Sequence, residues 1–389
     1  MNKGSVIYLG GFKMPDRNPA AHRVVSNALA MRDLGYETVF IGLHDKNSPY
    51  VIKDKYFGFD IYSRRSPLGL VDWFKYIIAF KFYKDIIVKH KNVKAIICYN
   101  TPSITLSLLA RWARRHKIKI ISDCTEWYET EKSESALKRY VKTLDVYNRM
   151  HLVQPKLDGV IAISSFIDLF YRTRNTKTIQ IPPLTDTKDE KWSKRESKVS
   201  NSVNIIYTGI PFSLETKRQK DRLDSIIDAL LFYETEYDFV FHIIGCTKLD
   251  FLMFYPSFSQ KIKGREEIIK FYGKLSHTEA VERLKESDFL IFVRNNTLTN
   301  KAGFPMKFVE AISCGIPVLT NKNSNVEHYL RDGENGFFID NTSYESLVRS
   351  LKKPLSISKE DLIAMKTKTY DSRLFDYRKY IKYFKEVLE

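Results

Sequence analysis

At 389 residues the chain is long enough for two or three domains, each with its own core. Hydrophobic residues make up 43% and charged residues 28%, which excludes a disordered chain, and 63 Lys+Arg against 46 Asp+Glu give a formal net charge of +17. The four cysteines and eight histidines fall at no zinc or disulfide spacing, and HExxH, GxSxG and GxxxxGK[ST] are absent, which removes zinc proteases, α/β-hydrolases and P-loop NTPases. The longest apolar stretch, residues 68–82, is interrupted by Asp72, Lys75 and Lys81 and is shorter than the roughly 20 residues of a spanning helix. With no signal-peptide pattern at the N-terminus, a reduced, cytoplasmic protein is expected.

In chain order, residues 6–9 read as a strand. Asn18 and Pro19 suit an N-cap and N1, Val24, Val25, Ala28, Leu29 and Met31 recur at helical spacing, and Gly35 suits a stop. Residues 39–43 form the next strand, so residues 10–18 are a loop at the carboxyl end of the first. Further strands are expected at 95–98, 118–122 and 160–163, with a helix over 104–115. Pro182 and Pro183 break the pattern, and a polar stretch follows, as in an interdomain connector about which two domains would close. The pattern restarts with a strand at 204–207 ending at Gly209, a basic loop over 211–220 and a helix near 221–233. Strands are expected at 239–245, 268–272, 289–293 and 317–320, and Ser276 with Glu279 forms a capping box.

The reading is α/β throughout. Residues 1–183 form one Rossmann-like half, 184–202 a linker and 203–369 a second half, with parallel sheets. An aromatic, basic helix over 370–389 lies beyond the second pattern and is expected to join the first half. Charge is uneven: residues 1–183 hold 30 Lys+Arg and 16 Asp+Glu, whereas residues 184–389 hold 33 and 30.

The most informative stretch is residues 302–320, AGFPMKFVEAISCGIPVLT. Pro305 suits N1 and Gly315 suits C′ of a helix of about ten residues, whose N-terminus would attract an anion. Lys307 in the first turn would add a point charge for a phosphate, and Glu310, one turn on, would accept ribose hydroxyls. The plainer alternative is an amphipathic helix with a surface Lys–Glu pair. Residues 122–128, SDCTEWY, follow a strand at its carboxyl end, where open sheets bind ligands. Asp123 or Glu126 would orient an acceptor hydroxyl and Trp127 would stack on a sugar, unless the acid merely caps a helix. Arg23 and His22 would approach either substrate or be solvated. Residues 70–94 interleave Trp73, Phe74, Tyr76, Phe80, Phe82 and Tyr83 with six lysines, and Arg111, Arg114 and Arg115 add to them. That composition suits an anionic membrane surface, unless the aromatics are core and the lysines a solvated face. No nucleic-acid motif is present.

The run GFPMKFVEAISCGIPV, followed by Asn325-Val326-Glu327 and by Asp332 to Phe337, resembles retaining glycosyltransferases of family 4, which have the GT-B fold. The likeness extends to YTG at 207–209, HIIGC at 242–246, FYGKLSHTE at 271–279, the Gly10-Gly11 loop and Ser164-Ser165-Phe166. It implies two Rossmann-like domains facing across a cleft and a hexose moved, with retention and without a metal, from a nucleotide-sugar to a hydroxyl. UDP is favoured over GDP as the carrier. The acceptor would be a glycan or lipid-linked saccharide of surface polysaccharide synthesis, handled at the inner face of the membrane, and no cofactor is needed. By the resemblance Glu310 binds the donor ribose, Lys307 lies near the diphosphate, Gly303 and Phe304 offer backbone amides, and Leu275 meets the base. Gly10, Gly11 and Gly209 face the donor, and the basic group Lys217, Arg218, Lys220 and Arg222 neutralises the leaving diphosphate. Ala302 stands where the family has its first glutamate. That departure keeps a non-catalytic GT-B partner subunit open, as well as a nucleotide-sugar 2-epimerase.

Overall fold

The computed structural model describes residues 2–14, 19–45, 47, 49–127, 136–174, 176–194 and 202–389, without the side chains of residues 70 and 136–138. Asn18, Tyr128 and residues 195–201 of the polar stretch therefore lie outside the described residues. The chain forms two compact units: 1–184 with 302–304 and 377–389, and 185–301 with 305–376.

The first unit runs β1 (Gly4–Lys13), α1 (Pro19–Asp33), β2 (Tyr36–His44), β3 (Val51–Tyr56), β4 (Phe59–Arg65), α2 (Gly69–Ile77), α3 (Phe80–Ile87), β5 (Val93–Tyr99), α4 (Ser103–Arg115) and β6 (Lys119–Cys124). It continues through α5 (Ala136–Tyr147), a π-helical turn (Asn148–Val153), β7 (Gly159–Ala162), α6 (Ser165–Arg172) and β8 (Thr178–Gln180). The sheet order is β3-β4-β2-β1-β5-β6-β7-β8, parallel apart from the β3–β4 hairpin. β1 is buried on both faces, which is why it reads as an unbroken apolar run. Val6 and Tyr8 enter one core with α1, while Ile7 and Leu9 enter the other with Leu106 and Leu109 of α4. β1 outlasts its expected end, so the expected loop begins only after Lys13. The β3–β4 hairpin was not foreseen: β3 is a charged edge strand carrying Lys53, Asp54 and Lys55, with no apolar alternation to betray it.

The second unit runs β9 (Val203–Thr208), a small hairpin of β10 (Phe212–Ser213) and β11 (Arg218–Gln219), α7 (Leu223–Leu231), β12 (Phe239–Ile244), α8 (Lys248–Phe254), β13 (Ile269–Gly273), α9 (His277–Lys285) and β14 (Phe289–Phe292). It is followed by α10 (Leu298–Ala302), α11 (Met306–Ser313), β15 (Val318–Thr320), β16 (Gly336–Phe338), α12 (Tyr344–Leu355) and α13 (Lys359–Asp371). The main sheet is wholly parallel, in the order β13-β12-β9-β14-β15-β16. Both sheets thus grow outward from a central first strand to one side and then cross to the other. The switch points lie between β1 and β5 and between β9 and β14. The foreseen capping box is present at Ser276 and Glu279 and starts α9. Pro305 is the N-cap of α11 rather than its first residue, and that helix has 8 residues.

The expected linker is structured at its start. Thr185 donates its backbone N–H to Phe375 at 2.9 Å and meets Ser313 Oγ at 2.9 Å, and Trp192 is buried. The expected helix over 370–389 is two separate pieces: α13 stops at Asp371, and a turn over Tyr377–Tyr380 leads into α14 (Ile381–Leu388). Phe384, Val387 and Leu388 of α14 enter the first unit's core beside α1. Phe384 is fully buried there. Phe384→Ala is therefore expected to lower stability by about 3–5 kcal/mol, the usual cost of emptying a large aromatic site. Urea denaturation checks this, and an unchanged midpoint would show that α14 is not part of the core.

Candidate functional site

In the second unit β9, β12 and β13 reach their carboxyl ends at Gly209, Gly245 and Gly273. The Gly209 N–H donates to Ile244 at 3.0 Å and the Gly245 N–H to Gly273 at 2.7 Å. Gly245 has φ +119°, and a Cβ there would lie 2.1 Å from the Gly209 carbonyl oxygen, so only glycine allows the strand ends to close up this far. A Cβ on Gly209 would in turn lie 3.5 Å from both Cε and Nζ of Lys307. The end of the central strand therefore rests on the lysine's ammonium, at the edge where open parallel sheets bind ligands.

Lys307 is not the surface member of a Lys–Glu pair that the plainer alternative expected. It does not extend from the helix into solvent; it turns inward, and its Nζ pairs with Asp221 Oδ2 at 2.9 Å over the Tyr207 ring, 3.8 Å from the centroid. Asp221 is fully buried, and its other oxygen holds Arg294 Nε at 3.0 Å. Tyr207 donates its hydroxyl to the same carboxylate at 2.6 Å. One carboxylate thus faces two cations, and the buried group carries an excess positive charge. Burial alone would raise the Asp221 carboxyl, but Lys307, Arg294 and the tyrosine hold it well below the ordinary carboxylate range. Burial pushes the Lys307 ammonium down to about 8 against the pull of Asp221, and Arg294 and Lys220 add to the depression. Asp221 and Arg294 were missed in the sequence. The only hint was a lone acid between Lys220 and Arg222, and Arg294 lies 73 residues away.

Glu310 lies nearer the surface, with its side chain 17% exposed, and its Oε1 meets His277 Nε2 at 2.9 Å. His277 is the first residue of α9, fixed by the Ser276 capping box, and Leu275 just before it is half-buried. The basic loop is the β10–β11 hairpin. Lys217 (φ +52°), Arg218 and Lys220 are exposed on it. Arg222 departs from its expected role: it bends onto the first turn of α7, with Nε 3.2 Å from Asp224 and Nη2 donating to Ser225 Oγ at 2.6 Å.

The first unit corrects two expectations. Asp123 and Arg23 are both wholly buried, Arg23 donating through Nε at 3.0 Å and Nη2 at 2.7 Å to Asp123 and through Nη1 to the Ile181 carbonyl at 2.9 Å. Tyr8 donates to the same carboxylate. With every strong site taken and no exposure, neither residue reaches an acceptor; together they tie β6, α1 and the segment at Ile181. Glu126 is exposed, His22 is half-buried, and Trp127 sits edge-on to Phe166 at 5.6 Å and Phe170 at 4.9 Å. Gly10 (φ +140°) has a packing reason of its own, since a Cβ would lie 1.9 Å from the Tyr99 carbonyl oxygen, whereas a Cβ on Gly11 would lie 3.6 Å from Tyr76 Oη, an ordinary contact. Ala302 and Phe304 are buried, and the Ala302 carbonyl accepts from Ser164 Oγ at 2.7 Å; Gly303 between them is half-buried.

Asp221→Asn would leave two buried cations without their counter-charge. It is expected to cost about 3–5 kcal/mol in urea denaturation, and more than Lys307→Met, which leaves the neutral Asp221–Arg294 pair intact. Equal losses in the two variants would refute the charge count.

Residues 214–370 match the family model of glycosyl transferases group 1. No curated protein matches the chain in sequence. Among solved structures, the chain is similar to sucrose-phosphate synthase from Thermosynechococcus elongatus, at 12% identity and TM-score 0.71, covering 99% of this chain and 98% of that one. It is similar to Anabaena HepE in complex with UDP, at 13% identity and TM-score 0.65, covering 99% of each chain. It is also similar to the lipopolysaccharide outer core galactosyltransferase WaaB, at 18% identity and TM-score 0.62, covering 99% of each chain. The fold is therefore GT-B, α/β with two parallel-sheet domains, and the match to the glycosyl transferases group 1 model lies within the second of them.

Proposed function

We propose that the chain is a glycosyltransferase that takes a hexose from a nucleotide-sugar, a UDP-sugar by preference, and delivers it with retention to a hydroxyl of a glycan or lipid-linked saccharide. The observation that carries this is the surplus buried cation beneath Gly209. A site with one carboxylate to two cations is short of an anion, and a diphosphate supplies one. On this reading α11 directs its N-terminal amides toward the diphosphate, Lys307 and Arg294 act on it through the field of the cluster, and Glu310 accepts from the ribose hydroxyls. The exposed cations of the β10–β11 hairpin extend the same field outward. Charge growing on the departing diphosphate is then met by fixed positive groups that need no reorganisation. The UDP complex of HepE and the sugar-transfer name of WaaB support the donor class and the reaction class respectively.

A second reading, a GT-B subunit that binds without turnover, is favoured by Ala302, whose methyl stands where the family resemblance expects a glutamate. Incubation with UDP- and GDP-sugars and a panel of lipid-linked acceptors separates the two. Acceptor-dependent release of UDP supports the transferase, donor binding without release supports the subunit, and a free 2-epimer points to an epimerase.

Glu310→Gln is expected to weaken UDP binding by about 10–100-fold, the value of a hydrogen bond to a charged group, as measured by calorimetry. Unchanged affinity would remove Glu310 from the site. The diphosphate diester of a UDP-sugar has no proton to lose above neutral pH, so titration of Lys307 at about 8 is expected to weaken its binding as pH rises through that value. Below it the ammonium is charged and the affinity is full. Lys307→Met is expected to bind weakly and to lose the pH step, and a step that persists in this variant would assign the titration to another group.

A further inference from the structure

The aromatic and basic stretch divides in the structure in a way the sequence concealed. Tyr83 is core, and Phe80 and Phe82 pack against the same core. The residues left outside are mainly aliphatic. Val71 and Phe74 on the outer face of α2 and Ile78 at its C-cap follow one another at three- and four-residue spacing. Leu144 and Tyr147 take the outer face of α5, and Ile104 lies at the start of α4, which packs between the two helices. These six side chains are 42% to 67% exposed. The surface is held from within. Ser103 donates its backbone N–H to Asp145 of α5 at 2.7 Å, and Thr105 donates its hydroxyl to the Ile77 carbonyl of α2 at 2.7 Å, so Ile104 bridges the two faces. Arg64 lies under the Tyr76 ring at 5.5 Å, and Arg65 reaches Asp72 at 3.5 Å.

We propose that this face seats the protein on an anionic lipid bilayer. Residues 66–117, which carry α2, α3 and α4, hold ten lysines and arginines against two aspartates, and Lys75, Lys81, Lys89, Arg111 and Arg115 are exposed. Apolar side chains at the tip of such a charged surface enter the headgroup boundary while the cations meet lipid phosphates. A second copy of the chain would bring the same surplus charge to the interface and be repelled, and a nucleic acid would leave the aliphatic stripe in water. Among the described residues no helix is long and apolar enough to cross a membrane, so the contact is peripheral. The inner side of α2 faces Gly11 through Tyr76. Taken with the proposed transferase reading, on which this inference rests for its substrate class, the bilayer lies on the acceptor side and the acceptor is lipid-linked.

The test is co-sedimentation of the full chain with vesicles of phosphatidylglycerol and phosphatidylcholine, against phosphatidylcholine alone. Calorimetric UDP binding and the melting temperature are measured in parallel. Wild-type protein is expected to pellet with the anionic vesicles and to be released in part by 1 M NaCl. Phe74→Asp/Ile78→Asp, at exposed positions, is expected to lower vesicle binding by about tenfold with unchanged melting and UDP affinity. Wild-type protein that stays in the supernatant, or a variant that pellets as well as wild type, overturns the proposal. So does a concentration-dependent dimer in sedimentation velocity that the variant abolishes. Vesicle binding without UDP binding would instead refute the transferase reading and leave the membrane face standing.

Discussion

The second unit is organised around one buried carboxylate. Asp221 receives Lys307 from α11, Arg294 from the end of β14 and the Tyr207 hydroxyl from β9. It therefore ties together the central strand, its neighbour across the switch point and the helix that begins at the sheet's edge. Burying three ionised groups is expensive, and such a cluster persists only when each is paired. Each of the three has an opposite charge beside it, yet the charges sum to one positive, and that surplus is what gives the carboxyl edge of this sheet a sign.

The first unit has the same topology and a related device with a different balance. Tyr8 on its central strand also donates to a buried aspartate, Asp123, just as Tyr207 does to Asp221. Asp123 faces a single arginine, so the cluster is neutral and closed, whereas Asp221 faces two cations. Two sheets wound alike thus differ in charge at corresponding strands: one cluster is neutral and the other holds two cations to one carboxylate. The surplus charge of the first unit lies instead on its outer helices, where it acts on whatever those helices face.

Much of this was legible in the sequence for identifiable reasons. Strands buried on both faces read as apolar runs, and Ser276 with Glu279 announced α9, because both signals are local. The motif around Lys307 and Glu310 was legible as a helix beginning at an edge. The direction of Lys307 was not, because a lysine's four-carbon stem lets the ammonium lie above or beneath the helix, and the choice is made by Asp221, 86 positions away. The same blindness to distant partners made Asp123 and Arg23 look available. Residues 70–94 show the converse. The aromatics suggested a surface, yet Tyr83 went into the core and Val71 and Ile78 stayed outside, because short helices there present only part of a turn to the sheet.

Ala302 bears on how the electrostatics divide the work. In the family that the motif resembles, an acid at this position approaches the donor sugar and brings a negative charge to the neighbourhood of the diphosphate. An alanine brings none, so a site already holding a surplus cation keeps its whole field for the leaving group. On the proposed reading what is forfeited is a side-chain grip on the sugar, a duty left to backbone near Gly303. On the proposed reading, then, the chain relies on the departure of the diphosphate more than on positioning of the hexose. A donor with an altered sugar would be discriminated weakly, while any loss of charge around Asp221 would be felt in full, because nothing else in the cluster replaces Lys307 or Arg294.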